Sequence, residues 1–184
     1  MISEGADPAG AVAAFCHPHP QYGGSMHDAV IDTAVSALAP NLRASLKFNF
    51  RGVGASEGEF DGGNGEVDDV AAAAAHLAQG YPEIPIWLVG YSFGAAMAWR
   101  ARLRFPCERI ILIAPPLGRL PFDGSSTPST RIVVIAGTAD EFVDAAALDA
   151  WAQTQAAVEV HTIEHCDHFF SGNHAALAHI LRAL

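Results

Sequence analysis

Residues 84–94 read IPIWLVGYSFG, an apolar run that ends in a Gly-x-Ser-x-Gly pattern with Ser92 at its centre. A helix-like stretch, AAMAWRARLRF, follows directly. This pattern between a strand and a helix is typical of a sharp turn that exposes the serine hydroxyl. Glycines two residues before and after the serine leave room for strand and helix to cross closely. The alternative is a serine that only caps a helix in a Gly-rich turn, which the strand–turn–helix context disfavours.

Outward from this turn, short apolar runs alternate with helix-like stretches along the whole chain. The runs predicted as strands are Ala11–Cys16 and residues 44–50, 84–89, 110–114, 132–136 and 158–163. The helix-like stretches are residues 25–39, 66–79, 92–105 and 141–155, with a terminal helix from Asn173. Such alternation predicts βαβ units, and uninterrupted apolar runs fit strands buried on both faces of a sheet. We expect the α/β fold class, with a reduced, mostly parallel sheet of about six strands and helices on both faces.

Composition limits the class of protein further. The chain has 184 residues, of which 51% are hydrophobic and 16% charged, which predicts one compact domain over residues 1–184. The formal net charge of -10 disfavours nucleic-acid binding, because an acidic surface repels phosphates. No apolar run reaches the roughly 18 residues of a membrane span, and residues 1–10 lack signal-peptide features. Three cysteines without framework spacing fit a reducing compartment. We therefore expect a cytoplasmic protein that does not bind membranes.

Two further candidate catalytic groups follow later apolar runs. A serine nucleophile needs an adjacent base, and the base needs a third group to hold it. In the α/β-hydrolase arrangement these groups follow in the order serine, acid, histidine. Asp140 comes after RIVVIAG, and His168 comes after VEVHTIEHC. We predict Ser92 as the nucleophile, Asp140 as the acid and His168 as the base, since parallel strands bring such loops to one edge of the sheet.

The chain contains nine histidines, so the candidate base has to be chosen by its position relative to the predicted strands. His165 is the nearest competitor for the base but lies closer to the strand end, and His161 falls inside the strand pattern. Glu141 and Asp144 are the alternatives for the acid. The helix pattern places Glu141 at the start of a helix, in a capping role, and Asp144 inside that helix.

An oxyanion hole is expected beside the serine. One donor should be the backbone N–H of Phe93, the residue after the nucleophile. The second should come from HPHPQYGG, residues 17–24, where the two prolines have no N–H to give. Gln21 is the best candidate and Tyr22 the next, although this stretch could also be only a rigid surface turn. No carboxylate or cysteine spacing accompanies its histidines, so we expect neither a metal nor a cofactor.

Six segments together resemble the small, lid-poor bacterial α/β-hydrolases near the dienelactone hydrolase group. They are HPHPQYGG, FNFRGVGASEG, GYSFGA, APP, AGTADE and DHFF, spread from about Ala11 to the end of the chain. The resemblance implies a Ser92–Asp140–His168 triad, with oxyanion donors at Phe93 and near Gln21. It carries little information about the substrate.

The chain differs from dienelactone hydrolase itself in one place and from the wider group in two. Dienelactone hydrolase itself has a cysteine nucleophile where this chain has Ser92. The acid of the group often lies in Gly-Asp-x-Asp, and here the four residues are Gly-Thr-Ala-Asp, ending at Asp140. Only ten residues precede the first predicted strand, where the group has one or two antiparallel strands. A sheet edge without a neighbouring strand can pair with a second copy of the chain or be covered by another segment. A homodimer is therefore among the expected assemblies.

The expected activity is that of a carboxylesterase that cleaves small or accessible acyl substrates through an acyl-enzyme. Residues 115–130, PPLGRLPFDGSSTPST, are short and rich in Pro, Gly and Ser, which predicts a flap and not a helical cap domain. An open site suits long acyl chains poorly, because these need a covered apolar channel. A thioesterase or small peptidase would use the same triad. A non-catalytic ligand-binding protein on a hydrolase scaffold is the alternative from another class.

Overall fold

The computed structural model describes residues 1–7, 10–125, 127 and 129–184 of the chain. Its strands are β1 (Ile2–Glu4), β2 (Ala11–Cys16), β3 (Leu42–Lys47), β4 (Ile86–Tyr91), β5 (Arg109–Ile113), β6 (Arg131–Gly137) and β7 (Val158–Ile163). Its α-helices are α1 (Ala29–Leu38), α2 (Asn64–Gly80), α3 (Phe93–Ala101), α4 (Ala145–Ala152) and α5 (His174–Arg182). Each predicted strand and helix is present, with ends that differ by a few residues. None of these helices combines the length and the apolar character needed to cross a bilayer.

One sheet of seven strands, in the order β1-β3-β2-β4-β5-β6-β7, forms the centre of the fold. All neighbouring strands are parallel except β1, which pairs antiparallel with β3. The expected mostly parallel sheet is confirmed, but the expectation of a bare edge beside β3 was wrong. The short β1 covers that edge, with Ile2 opposite Leu46. All three β1 residues are exposed, so the strand has no buried face and leaves no apolar pattern in the sequence.

Two apolar clusters fill the space between the sheet and the helices on its two faces. Strands β2, β4 and β5 are buried along their whole length. Alternate residues of β2 belong to different clusters: Val12 lies in the cluster that includes side chains of α2, α3 and α4, and Phe15 in the one that includes side chains of α1 and α5. Burial on both faces explains why the strands read as uninterrupted apolar runs.

Capping side chains set the helix starts and explain why two helices begin later than the pattern predicts. Helix α1 begins after Asp28, whose Oδ1 accepts the N–H groups of Val30 and Ile31 at 2.9 and 3.3 Å. Helix α4 begins after Asp144, whose carboxylate accepts the N–H of Ala147 at 3.0 Å. Asp144 is thus the cap of α4, and the expected capping role of Glu141 was wrong. Short polar side chains satisfy the free N–H groups of a first helical turn in this way.

The loops that follow β2, β4, β6 and β7 leave the sheet at the carboxyl ends of its parallel strands. They contain the HPHPQYGG stretch, Ser92, Asp140 and His168 in turn. Four distant parts of the chain therefore meet at one edge of the sheet, as expected for an open α/β sheet.

Candidate active site

Ser92 occupies a strained turn between β4 and α3. Its φ and ψ are 54° and -119°, a region that side-chain-bearing residues rarely adopt. Its N–H donates to the carbonyl of Ile113 on the neighbouring strand at 2.9 Å. A Cβ on Gly90 would lie 2.2 Å from the Gly94 carbonyl oxygen, and one on Gly94 would lie 2.1 Å from the oxygen of Cys16. The glycines of the pattern are therefore required by close backbone contacts on both sides of the serine.

His168 lies between Ser92 and Asp140. Its Nε2 is 2.9 Å from Ser92 Oγ, and its Nδ1 is 2.8 and 3.0 Å from the two carboxylate oxygens of Asp140. A carboxylate can only accept, so Nδ1 carries the ring proton and Nε2 presents its lone pair to the serine hydroxyl. The three predicted side chains therefore meet in a row, in the order that proton transfer from serine requires.

Neighbouring groups fix both Asp140 and His168. The Asp140 side chain is fully buried, and its Oδ1 also accepts the N–H groups of Phe142 and Val143 at 2.7 and 3.3 Å. The hydroxyl of Tyr91 donates to the His168 carbonyl oxygen at 3.1 Å. Burial raises the pKa of Tyr91 well above its ordinary value, so this phenol remains a donor. Hydrogen bonds within the chain therefore hold both Asp140 and His168 in place.

The residues considered as alternatives to His168 and Asp140 lie outside this row of side chains. His165 is exposed, and its backbone N–H donates to Thr138 Oγ1 at 2.9 Å. His161 belongs to β7. Asp144 caps α4 and Glu141 is exposed. Among the described residues, the ring nitrogens of His168 form hydrogen bonds only with Ser92 and Asp140.

The structure does not bring Gln21 into position as an oxyanion donor. Its backbone N–H donates to the ring Nδ1 of His19 at 3.2 Å, and Gln21 is not among the residues that line the cleft around the serine. The N–H of Tyr22, the second choice, donates to the carbonyl of His19 at 3.1 Å. The glycines at 23 and 24 donate within the same loop. His19 is then the one residue of 18–24 whose N–H has no acceptor in the described part of the chain, and its ring lies 4.9 Å from that of Phe93.

His17 ties this loop to the loop after β3. Its Nδ1 is 2.7 Å from the Pro18 carbonyl oxygen, and its Nε2 accepts the N–H of Phe50 at 3.1 Å. The ring is completely buried, and burial lowers the pKa of His17 to about 4. A neutral ring with one donor and one acceptor satisfies both contacts. His17 is thus a structural link between the two loops.

A cleft of about 550 Å³ opens over Ser92 and His168. The loops after β2, β5, β6 and β7 form its walls, and most of the lining side chains are apolar or aromatic. Sequence reasoning missed several of these lining residues, namely Asp28, Arg119, Leu120, Phe142 and Phe169. The proximity of Phe142 to Asp140 and of Phe169 to His168 in sequence was the available signal. The described residues contain no cluster of three or more potential metal ligands.

The segment between β5 and β6 forms no cap over the cleft. Its described residues contain no helix, and only short turns interrupt the extended chain. Two indole groups hold it down: Trp99 Nε1 donates to the Asp123 carbonyl and Trp151 Nε1 to the Phe122 carbonyl, at 3.1 and 3.0 Å. Phe122 is buried against the helices beneath it. The prediction of a short flap without a helical cap domain is confirmed.

The sheet order, the strained serine after β4 and the cap-free upper edge define an α/β hydrolase. The sequence profile of the family described as Serine aminopeptidase, S33 matches residues 11–122, more than half of the chain, and the chain belongs to this family. The matched range contains Ser92 and ends before Asp140 and His168.

Solved structures agree with this assignment. An alpha-beta serine hydrolase homologue from Coxiella burnetii has a TM-score of 0.91 at 30% identity, covering 100% of this chain and 89% of that one. XC6422 from Xanthomonas campestris, described as an α/β serine hydrolase without a lid, has a TM-score of 0.89 at 35% identity, covering 99% and 85%.

One curated relative is uncharacterized. RP471 of Rickettsia prowazekii is 40% identical over 115 residues, which are 61% of this chain and 48% of that protein. The match therefore spans about half the length of that relative. The chain is thus similar to lid-less α/β serine hydrolases, and the closer grouping with dienelactone hydrolase stays a prediction.

Proposed function

We propose that this chain is a serine carboxylesterase that cleaves small or accessible acyl substrates through an acyl-enzyme. The observation that carries the proposal is the row formed by Ser92 Oγ, the His168 ring and the Asp140 carboxylate, with spacings of 2.9 and 2.8 Å. These distances lie within the range in which a base can take a proton from a nucleophile.

The proposed reaction has two steps. His168 Nε2 takes the proton of Ser92 while Oγ attacks the ester carbonyl, and the same proton then passes to the departing alcohol. Asp140 stabilises the imidazolium that forms between these transfers. Water next attacks the acyl-enzyme, with His168 as base again, and releases the carboxylic acid and the free serine. Both half-reactions use the same three groups and need no change of geometry.

Two backbone N–H groups are proposed to bind the oxyanion. Phe93 is the first residue of α3, where an N–H has no acceptor inside the helix and the helix dipole favours negative charge. His19 takes the role first predicted for Gln21, because its N–H is the one left without an acceptor in residues 18–24 of the described chain. The contact between the His19 and Phe93 rings places the two residues side by side. Removal of one such donor typically costs about 10²–10³ in rate.

The open cleft supports small acyl groups. A chain of many methylenes needs a covered apolar channel, and residues 114–125 contribute no helix that could form one. The tests are a series of p-nitrophenyl esters of increasing chain length and the matching acyl-CoA thioesters. We expect kcat/KM to fall as the acyl chain lengthens. A clear preference for long chains would refute the open-site argument, and faster turnover of the thioesters would identify a thioesterase.

A peptidase is the second candidate, because the matched family is described as a serine aminopeptidase family. Binding of a free amino group requires an anionic partner, and Asp28 is the one carboxylate among the described residues that line the cleft. Its Oδ1 already caps α1, and burial raises its pKa, so it is a poor partner for an amine. We therefore expect aminoacyl p-nitroanilides to be cleaved far more slowly than esters of similar size.

Two variants separate catalysis from folding. Ser92→Ala is expected to abolish ester turnover, whereas Ser3→Ala, at an exposed serine of β1, is expected to leave it unchanged. A folded wild type that turns over no ester, thioester or anilide would instead indicate a non-catalytic binding protein on a hydrolase scaffold.

A further inference from the structure

Exposed aromatic side chains are concentrated at the mouth of the cleft. Tyr22, Phe142 and Phe169 are 87%, 39% and 62% exposed, and all three line the cleft. The other large apolar side chains exposed in the described chain are aliphatic and lie outside it, namely Met1, Ile2, Leu103 and Val160. Single exposed apolar residues are common, but grouped ones beside a site indicate a surface that binds something.

Two of these rings flank His168. Its ring centroid is 4.6 Å from that of Phe142 and 5.5 Å from that of Phe169. The two phenylalanine rings are 6.4 Å apart and nearly perpendicular, with an interplanar angle of 76°. Arg119 holds the first ring in place: its guanidinium lies 5.2 Å from the Phe142 centroid, and its Nη2 donates to the Glu141 carbonyl at 2.8 Å. The rings therefore form a supported wall beside the base.

Packing against His168 does not account for this wall. A residue that only shields a buried histidine would bury its own ring, yet more than half of the Phe169 side chain is open. Phe169 lines the same cleft as Ser92. Aromatic rings bind other rings in offset or edge-to-face contact at centroid distances of about 4.5–7 Å, the spacing already seen between these two.

The direction of proton transfer determines which part of a substrate lies beside Phe142 and Phe169. In the proposed reaction His168 gives its proton to the oxygen of the departing alcohol, so the alcohol part lies against His168 and the rings beside it. We propose that Phe142 and Phe169 bind an aromatic ring in the alcohol part, and that the substrates are esters of arylmethyl-type alcohols. This inference rests on the proposed esterase function and names its substrate class.

The test compares two acetates that differ only in the ring. Benzyl acetate and cyclohexylmethyl acetate are alike in size, but one ring is aromatic. Each kcat/KM is divided by the rate constant for alkaline hydrolysis of the same ester, which removes intrinsic reactivity. We expect the wild type to prefer the benzyl ester by about 2- to 10-fold, the size of a typical aromatic pair contribution.

Substitutions at Phe169 separate ring recognition from shielding of the base. Phe169→Leu should bring the ratio close to one, and Phe169→Tyr should retain it because it keeps the ring. Leu103→Ala removes another exposed apolar residue, which lies outside the cleft, and should leave the ratio unchanged. In a second pair, methyl phenylacetate and methyl cyclohexylacetate, the ring is in the acyl part, and Phe169→Leu should not change that ratio.

Three outcomes would overturn the inference. They are a wild-type ratio near one, an equal fall for both acetates in Phe169→Leu, and a change confined to the acyl-side pair. Ethyl acetate serves as the ring-free reference. If it is hydrolysed without any ring preference in the benzyl pair, only the ring site fails. If the folded protein hydrolyses none of these esters, the proposed function itself fails.

Discussion

Replacement of Asp140 by asparagine is expected to hold His168 in a tautomer that cannot take the Ser92 proton. Oδ1 of Asp140 accepts the N–H of Phe142 at 2.7 Å, so the amide oxygen of asparagine belongs at that position. Its NH₂ group then replaces Oδ2, 2.8 Å from His168 Nδ1. An amide NH₂ can only donate, so Nδ1 becomes the acceptor and the ring proton moves to Nε2, facing the serine. The other arrangement, with Nδ1–H donating to Oδ1 at 3.0 Å, would press the NH₂ group against the same N–H.

The expected loss is about 10⁴-fold in kcat, the effect of the same exchange in a serine protease triad, which corresponds to about 5 kcal/mol of transition-state stabilisation. Stability should change little, because asparagine keeps the acceptor for the Phe142 N–H. Asp140→Ala is a poorer probe. It leaves the N–H groups of Phe142 and Val143 without their acceptor, at a cost of about 1–3 kcal/mol.

The assay is kcat for p-nitrophenyl acetate, with thermal unfolding measured on the same samples. Glu141→Gln is the matched control, because it removes an adjacent exposed carboxylate and should leave kcat unchanged. If folded Asp140→Asn kept more than about a tenth of the wild-type kcat, the tautomer argument would be refuted.

Two further variants test the support of the site. Burial lowers the pKa of His17 from its ordinary value of 6.5 to about 4. The buried neutral ring therefore contributes its full stabilisation above pH 6.5. This contribution is lost as the pH falls toward 4, because the unfolded chain then binds a proton that the folded chain does not. Between pH 7 and pH 5 the wild type should lose about 2 kcal/mol more unfolding free energy in urea than His17→Gln, and an equal loss would contradict this. Gly94→Ala places a Cβ 2.1 Å from the Cys16 oxygen and should lower the unfolding free energy by at least about 1–3 kcal/mol. Gly80→Ala, with nothing within 4 Å, should not lower it; equal melting temperatures for the two variants would refute the close-contact argument.

The central strands and the positions of the candidate triad could be predicted from the sequence because each depends on a local pattern. Strands buried on both faces are uninterrupted apolar runs, and β4 and β6 lie where those runs predict them. Ser92, Asp140 and His168 each follow such a run. A parallel sheet then brings the three loops to one edge without further information.

Other features depend on contacts that no local pattern encodes. The three residues of β1 are all exposed, so only backbone pairing with β3 defines that strand. Gln21 was predicted as the second oxyanion donor, but its N–H already donates to the His19 ring, and this bond forms only once the loop is folded. The wall formed by Phe142 and Phe169 was missed because their exposure at the cleft follows from the packing of three loops.

Covalent labelling of Ser92 with a fluorophosphonate, followed by intact-mass measurement, tests the nucleophile itself. The wild type should gain the mass of a single adduct, located on the peptide that contains Ser92, and folded Ser92→Ala should gain none. A folded wild type that stays unlabelled, or a Ser92→Ala variant labelled to the same extent, would contradict the assignment of this serine.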